Sequence, residues 1–348
     1  MSQKIVVIGA GIIGLHIANV LRDKGHEVYV LDAAPFLAEH TSGRNSGVIH
    51  AGIFYKSSSF KEKICIEGNR LTYEWLQKLS VAYKKCGKWV VAEPGQEEGF
   101  DPFYEKLIQL PIPKPLIKSK HEMAQLEPLL RTTRAIFIPS TGILDAADYV
   151  KAMARYIESK GASLILNCSV TNMTEHELET SRGPIPYDFL INSAGLNADM
   201  IATMSGISGY EIRPCRGDYY VINAQPISRP VYHLPYTEAH GLGVHLTPSL
   251  DGQTLVGPNA FFIDSKTDYI PHSDITVYEN SVRFYIPTMD KPKLTTGYSG
   301  NRPKLFKDGI AVSEFTFIKH KNTLHLLGME SPGLTSAPAI ARHVLGLV

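Results

Sequence analysis

A chain of 348 residues is long enough, at roughly 150 residues per domain, for two domains with well-buried cores. With 44% apolar residues, 20% charged residues and a formal net charge of +1, it gives no electrostatic case for binding nucleic acid. Its four cysteines, Cys65, Cys86, Cys168 and Cys215, show no CxxC spacing, so neither a metal site nor a disulfide framework is expected, and a cytoplasmic location fits. No window nears the roughly 20 apolar residues of a transmembrane segment, so any membrane contact is expected to be peripheral.

In chain order, "KIVVI" reads as a buried parallel strand, the glycines after it as a turn, and the periodic segment Ile12 to Leu21 as a helix stopped by Gly25. A second strand, "EVYVL", leads to Asp32, which completes a βαβ-type beginning. Residues 60 to 83 read as a helix and "KKCGKWVVAE" as a strand, whereas the prolines of "LPIPKPLI" exclude helix through their fixed φ and missing donors. Asp145 is placed to cap a helix with apolar Tyr149, Val150, Met153 and Ile157, closed by Gly161, and the strands "SLILN" and "DFLINSAG" follow. From about Glu211 to Thr296 the pattern is strand-like, with "DYYVI", "GLGVHLT" and "QTLVG". The end of the chain reads as strands "AVSEFTFI" and "TLHLLG", then a helix from about Thr335. The expected class is α/β with an α+β insert. A Rossmann-like dinucleotide domain is built from residues 1–83, 142–210 and 297–348, and a mostly β substrate domain from 84–141 and 211–296.

Gly9, Gly11 and Gly14 have the G-x-G-x-x-G spacing between strand and helix. The first glycine allows the turn, the second lets backbone approach a pyrophosphate, and the third lets helix pack on strand. Asp32, ending the next strand, stands where a ribose hydroxyl needs an acceptor, although a solvated strand end would also place an acid there. These features indicate a dinucleotide and leave NAD and FAD both open.

The ordered set "SGRNSGVIHAGIFY", "STGILD", "LINSAGLNAD", "RGDYYVI", "GVHLTPSLDGQTLVGPNA", "RPKL" and "GMESPGLTSAPAIA" resembles the L-2-hydroxyglutarate dehydrogenase/oxidase family, within the D-amino-acid-oxidase-like class of FAD enzymes. The similarity runs from the first strand to the last helix, with Asp32 where Glu is common and a short segment at 261–296. It implies FAD as cofactor and oxidation of a 2-hydroxy dicarboxylic acid by hydride transfer to the flavin, and leaves oxygen, a quinone or another protein open as the electron acceptor. It places Ser46, Gly47, Ala194 and Gly195 against the cofactor. It also directs the backbone N–H groups of the helix start at Gly333, Leu334 and Thr335 toward the charge of the reduced ring. His50 would be the base that takes the hydroxyl proton, with His245 the next candidate; a buried histidine bonded to backbone is the alternative for each. Arg302, held extended before a proline, would grip a carboxylate through two parallel hydrogen bonds, with Lys304 and Arg216 as weaker candidates for the distal carboxylate. Rival readings are a flavoenzyme of the same class acting on an amino acid or glycerol 3-phosphate, and a dinucleotide-binding regulator without turnover.

Overall fold

The computed structural model describes residues 2–92, 97–235 and 243–348. The chain begins with β1 (Lys4–Ile8), α1 (Ile12–Asp23) and β2 (Glu27–Leu31), followed by α2 (Phe60–Leu79) and β3 (Lys88–Ala92). Then come α3 (Ala146–Ser159), β4 (Phe189–Asn192), β5 (Tyr210–Ile222), β6 (Leu294–Lys307), β7 (Thr323–Leu327) and α4 (Gly333–Leu345).

One sheet has the order Thr316–His320, β7, β4, β1, β2, Ser163–Ile165, parallel except for its first pair. β1 lies centrally in it, and a parallel strand covered on both faces is apolar at successive positions rather than alternating, as "KIVVI" is. α1 packs against α3 and α4, burying Ile12, Leu15, Ile17 and Leu21 in the largest core cluster. The helix boundaries follow their local signals. The Asp145 side chain accepts from Asp148 N–H at the start of α3, and Gly25 and Gly161, at φ +83° and +82°, follow the ends of α1 and α3 in the left-handed region that favours glycine.

The second sheet runs Ile310–Val312, β6, β5, Thr254–Val256, Leu246–Pro248, Val231–His233, β3, Arg134–Ile138, Leu116–Ser119, with Phe261–Phe262 paired to β5. Its pairs are antiparallel except Val231–His233 against β3. β6 crosses the domain boundary expected at residue 297 and stays paired with β5 from Leu294 to Lys307, so residues 297–307 belong to this second sheet. The segment expected to be strand-like between 211 and 296 also contains a helix, Ile275–Tyr285, whose cap Asp274 accepts from Thr276 N–H. In the expected strand "GLGVHLT" the observed strand is Leu246–Pro248, so His245 immediately precedes it; Gly241 and Leu242 lie outside the described residues, as does Glu93 of "KKCGKWVVAE". Among the described residues no helix is long and apolar enough to cross a membrane.

Candidate active site

A cavity of about 1140 Å³ is lined by residues from both sheets, running from the glycine turn after β1 to a cluster of His50, Lys88, His245 and Arg302. This exceeds the roughly 300–1,000 Å³ typical of small-molecule pockets, as a site for a dinucleotide plus a substrate would.

At the nucleotide end two glycines of the fingerprint, Gly9 and Gly14, are required by close backbone approach, whereas Gly11 faces only a side chain. Gly9 has φ +104°, and a Cβ there would lie 2.4 Å from the Ser193 carbonyl oxygen. A Cβ on Gly14 would lie 2.0 Å from the Gly9 oxygen, and one on Gly11 would lie 3.0 Å from Ser42 Oγ. Asp32 accepts from Ala10 N–H at 2.7 Å through Oδ2 and from Ala34 N–H at 2.9 Å through Oδ1. Those bonds aim the carboxylate at the cavity it lines, and each oxygen keeps acceptor capacity for a hydroxyl. Ala194 and Gly195, after β4, line the cavity from the other side of the turn.

At the start of α4, the Gly333 and Ser336 N–H groups are taken by the carbonyls of Glu330 and Pro332. That leaves Leu334 and Thr335 as the first-turn donors, and Gly333 and Leu334 line the cavity. A narrow cradle, a carboxylate beside it and a helix N-terminus at the far end fit FAD in size, charge and hydrogen-bonding character. In this fit Gly9, Gly11, Gly14, Asp32 and Ala194 would hold the dinucleotide, and the α4 N-terminus the ring.

The loop carrying the small residues of "TSGRNSGVIHAGIFY" is pressed against β6, since a Cβ on Gly300 would lie 2.0 Å from the Arg44 carbonyl oxygen. Ser46 lines the cavity. Gly47 and Thr335 stand outside its wall and have structural partners instead. Gly47, at φ +64°, sits against the Leu144 carbonyl, and Thr335 Oγ1 accepts from His50 N–H at 3.0 Å. The His50 carbonyl accepts from Asn69 Nδ2 at 2.9 Å, so the His50 backbone is held on both sides and its ring lines the cavity. Arg44, tied to the Glu39 carbonyl and stacked over the Tyr269 ring at 4.4 Å, fastens the loop.

At the other end His245 Nδ1 lies 3.0 Å from the Gly243 carbonyl and therefore carries the proton, which leaves the Nε2 lone pair buried with no partner among the described residues. Its ring packs on Tyr232, with centroids 3.9 Å apart. Burial pushes both His245 and His50 down to about 3, and the charge of Lys88 adds to the effect on each, so both imidazoles are neutral at pH 7. Arg302 projects from β6 with Nη2 bonded to the Asn259 carbonyl at 3.3 Å and Nη1 buried without a partner among the described residues. Gly217 on β5 makes room for it, as a Cβ there would lie 2.8 Å from Arg302 Nη2.

The two weaker substrate candidates are committed elsewhere. Arg216 is buried between Asp218, at 3.2 Å, and Asp268, at 2.9 Å, and it does not line the cavity. Lys304 pairs with Glu330 at 2.7 Å, and Lys61 holds the same carboxylate at 3.0 Å. Burial works against the Glu330 charge, but Lys61 and Lys304 prevail and hold this carboxyl below the usual range. The residue that sequence reasoning missed is Lys88, a buried lysine at the start of β3 whose Nζ has no hydrogen-bond partner among the described residues and lies over the rings of Tyr232 and Phe54. A lysine inside the apolar run "KWVVA" was the available signal.

A family model described as FAD dependent oxidoreductase matches residues 4–347. The chain belongs to that family. As an FAD-dependent oxidoreductase it is 30% identical over 390 residues to the L-2-hydroxyglutarate dehydrogenase of Escherichia coli (strain K12), covering 99% of this chain and 92% of that protein. The mitochondrial L-2-hydroxyglutarate dehydrogenase of Homo sapiens is 29% identical over 403 residues, covering 98% of this chain and 87% of that protein. Among solved structures, L-alpha-glycerophosphate oxidase from Mycoplasma pneumoniae with FAD bound superposes at a TM-score of 0.87, with 26% identity and 100% and 94% of the two chains covered. Glycine oxidase from Geobacillus kaustophilus superposes at 0.85 with 18% identity, covering 99% and 94%, which shows the shared fold.

Proposed function

We propose that this FAD-dependent oxidoreductase oxidises the 2-hydroxyl of L-2-hydroxyglutarate to give the 2-oxo acid. The observation that carries this reading is the presence in one cavity of a neutral imidazole nitrogen, His245 Nε2, and a guanidinium nitrogen, Arg302 Nη1, that have no hydrogen-bond partner among the described residues, in a chain similar over nearly its full length to L-2-hydroxyglutarate dehydrogenases. Arg302 Nη1 donates to the carboxylate next to C2 while Nη2 stays bonded to the Asn259 carbonyl, which fixes the guanidinium and holds the carbon in one orientation. His245 Nε2 accepts the hydroxyl proton as the C2–H bond breaks, and Nδ1 keeps its bond to the Gly243 carbonyl throughout. Bound FAD supplies the acceptor for the hydride that leaves C2. Phe54, Tyr219 and Tyr232 line this end and exclude water from the charges that develop there.

Anaerobic titration of the FAD-loaded protein tests the reading. L-2-Hydroxyglutarate should bleach the flavin while D-2-hydroxyglutarate and glycerol 3-phosphate leave it yellow. Bleaching by both enantiomers, or by glycerol 3-phosphate in place of the hydroxy acid, overturns it.

A further inference from the structure

Around the reaction end of the cavity, Lys61 and Lys304 share the carboxylate of Glu330, whereas Arg302 and Lys88 face no carboxylate among the described residues. Arg302 accounts for one substrate carboxylate. Lys88 is the more unusual group: it is 0% exposed, and among the described residues it lies over the faces of Tyr232, at 4.3 Å, and Phe54, at 4.5 Å, without a hydrogen-bond partner. Those two rings are stacked on one another with 11° between their planes, and together they separate the ammonium from water. Aromatic faces offset only part of the loss of hydration, so burying this amine with no carboxylate beside it among the described residues is a cost in stability. We propose that Lys88 is the countercharge for the second negative group of the substrate and so makes the site select a 2-hydroxy dicarboxylate over a 2-hydroxy monocarboxylate.

The proposal rests on the function inferred above and extends it to the far end of the substrate. Lys88 lines the same cavity as His245, whose ring packs on Tyr232, so an anion seated beyond the reacting carbon approaches the ammonium through a low-dielectric wall where its charge is weakly screened. Burial brings the Lys88 amine down to about 7, with Cys65 acting in the opposite direction, and a second carboxylate would favour its charged form.

The test compares binding of two unreactive acids, glutarate and butyrate, to the FAD-loaded protein, read from the perturbation of the flavin spectrum. Lys88→Met preserves length and removes the charge; should it load FAD poorly, Lys88→Gln is put through the same comparison. Glutarate should bind the variant roughly tenfold to a hundredfold more weakly than it binds the parent, while butyrate changes by less than about threefold. Equal losses for both acids, no loss for glutarate, or a parent protein that does not prefer glutarate overturns the assignment. Because neither acid is oxidised, the comparison decides the role of Lys88 even if L-2-hydroxyglutarate fails to bleach the flavin.

Discussion

The sequence ranks His50 ahead of His245 as the base, but of the two only His245 has a ring nitrogen bonded in a way that sets its tautomer; the bonds at His50 involve its backbone. Sequence can place a histidine in a motif, but it cannot say which nitrogen is tied, because the Gly243 carbonyl is brought beside His245 only by the turn before Leu246–Pro248. His245→Ala is therefore expected to slow flavin reduction in a single turnover by roughly 100- to 10,000-fold, and His50→Ala by much less. The reverse order would return the base to His50. Both rings titrate near 3, so the neutral, proton-accepting form persists as pH falls, and the reduction rate at saturating substrate should stay level from pH 8 to pH 5. An acid limb near 6.5 would contradict this. Arg302 gives a further prediction at this scale through its neighbour Gly217, where an added methyl would meet Pro258 Cβ at 2.6 Å and both Arg302 Nη2 and the Asn259 carbonyl oxygen at 2.8 Å, and so displace the guanidinium together with the carbonyl that holds it. Gly217→Ala should raise KM about tenfold with FAD still bound. An unchanged KM would show that Arg302 does not grip the substrate.

The elements that were legible in the sequence are those whose signals are local. β1 is an unbroken apolar run because both its faces are covered, and α3 carries its own cap at Asp145. The helix Ile275–Tyr285 was not legible, because "ITVYENSVRFY" is rich in β-branched and aromatic residues; its buried face of Tyr278, Val282 and Tyr285 acquires meaning only where the second sheet lies beneath it. β6 was cut at residue 297 because its long pairing with β5 spans most of the second domain and leaves no short-range trace. α1 hides a different feature, a polar joint inside an apolar helix. His16 Nε2 meets Tyr149 OH of α3 at 2.7 Å, and its ring stands edge-on to Trp75 of α2, with centroids 5.1 Å apart. Burial lowers His16 from 6.5 to about 3, so the unfolded chain binds the proton first as pH falls. The contribution of this residue is complete above pH 6.5 and shrinks below it, by about 2 kcal/mol at pH 5. In denaturant titrations at pH 7 and pH 5, His16→Gln should lose less stability between the two pH values than the parent does, by about that amount. Identical losses would show that His16 is charged in the folded protein.

The two sheets meet around the cofactor cavity, and the second sheet also reaches across to the nucleotide half through the loop that follows Phe261–Phe262. Lys266 on that loop pairs with Asp199 at 2.8 Å, Tyr269 OH meets His40 Nδ1 at 2.8 Å, and Asn301 Nδ2 bonds the carbonyls of Lys266 and Asp268. Lys266 and Thr267 line the cavity together with Asn197 and Met200, so the loop forms part of the wall that a bound dinucleotide would face. This arrangement was invisible in the sequence, where Asp199 and Lys266 belong to different expected domains and no spacing links them. A ligand that binds only the folded state stabilises it by about 2.7 kcal/mol at a hundredfold excess over Kd, so the melting temperature of the protein should rise steadily with free FAD. The Lys266–Asp199 pair is partly open to water, with the lysine side chain 23% exposed, and such pairs contribute about 1 kcal/mol or less by themselves. Lys266→Ala should therefore leave the melting temperature of the apoprotein nearly unchanged while FAD dissociates faster and the FAD-dependent rise becomes smaller. Fluorescence recovery of released FAD measures the rate directly. An unchanged release rate in Lys266→Ala would mean that the loop covers the cavity without retaining the cofactor.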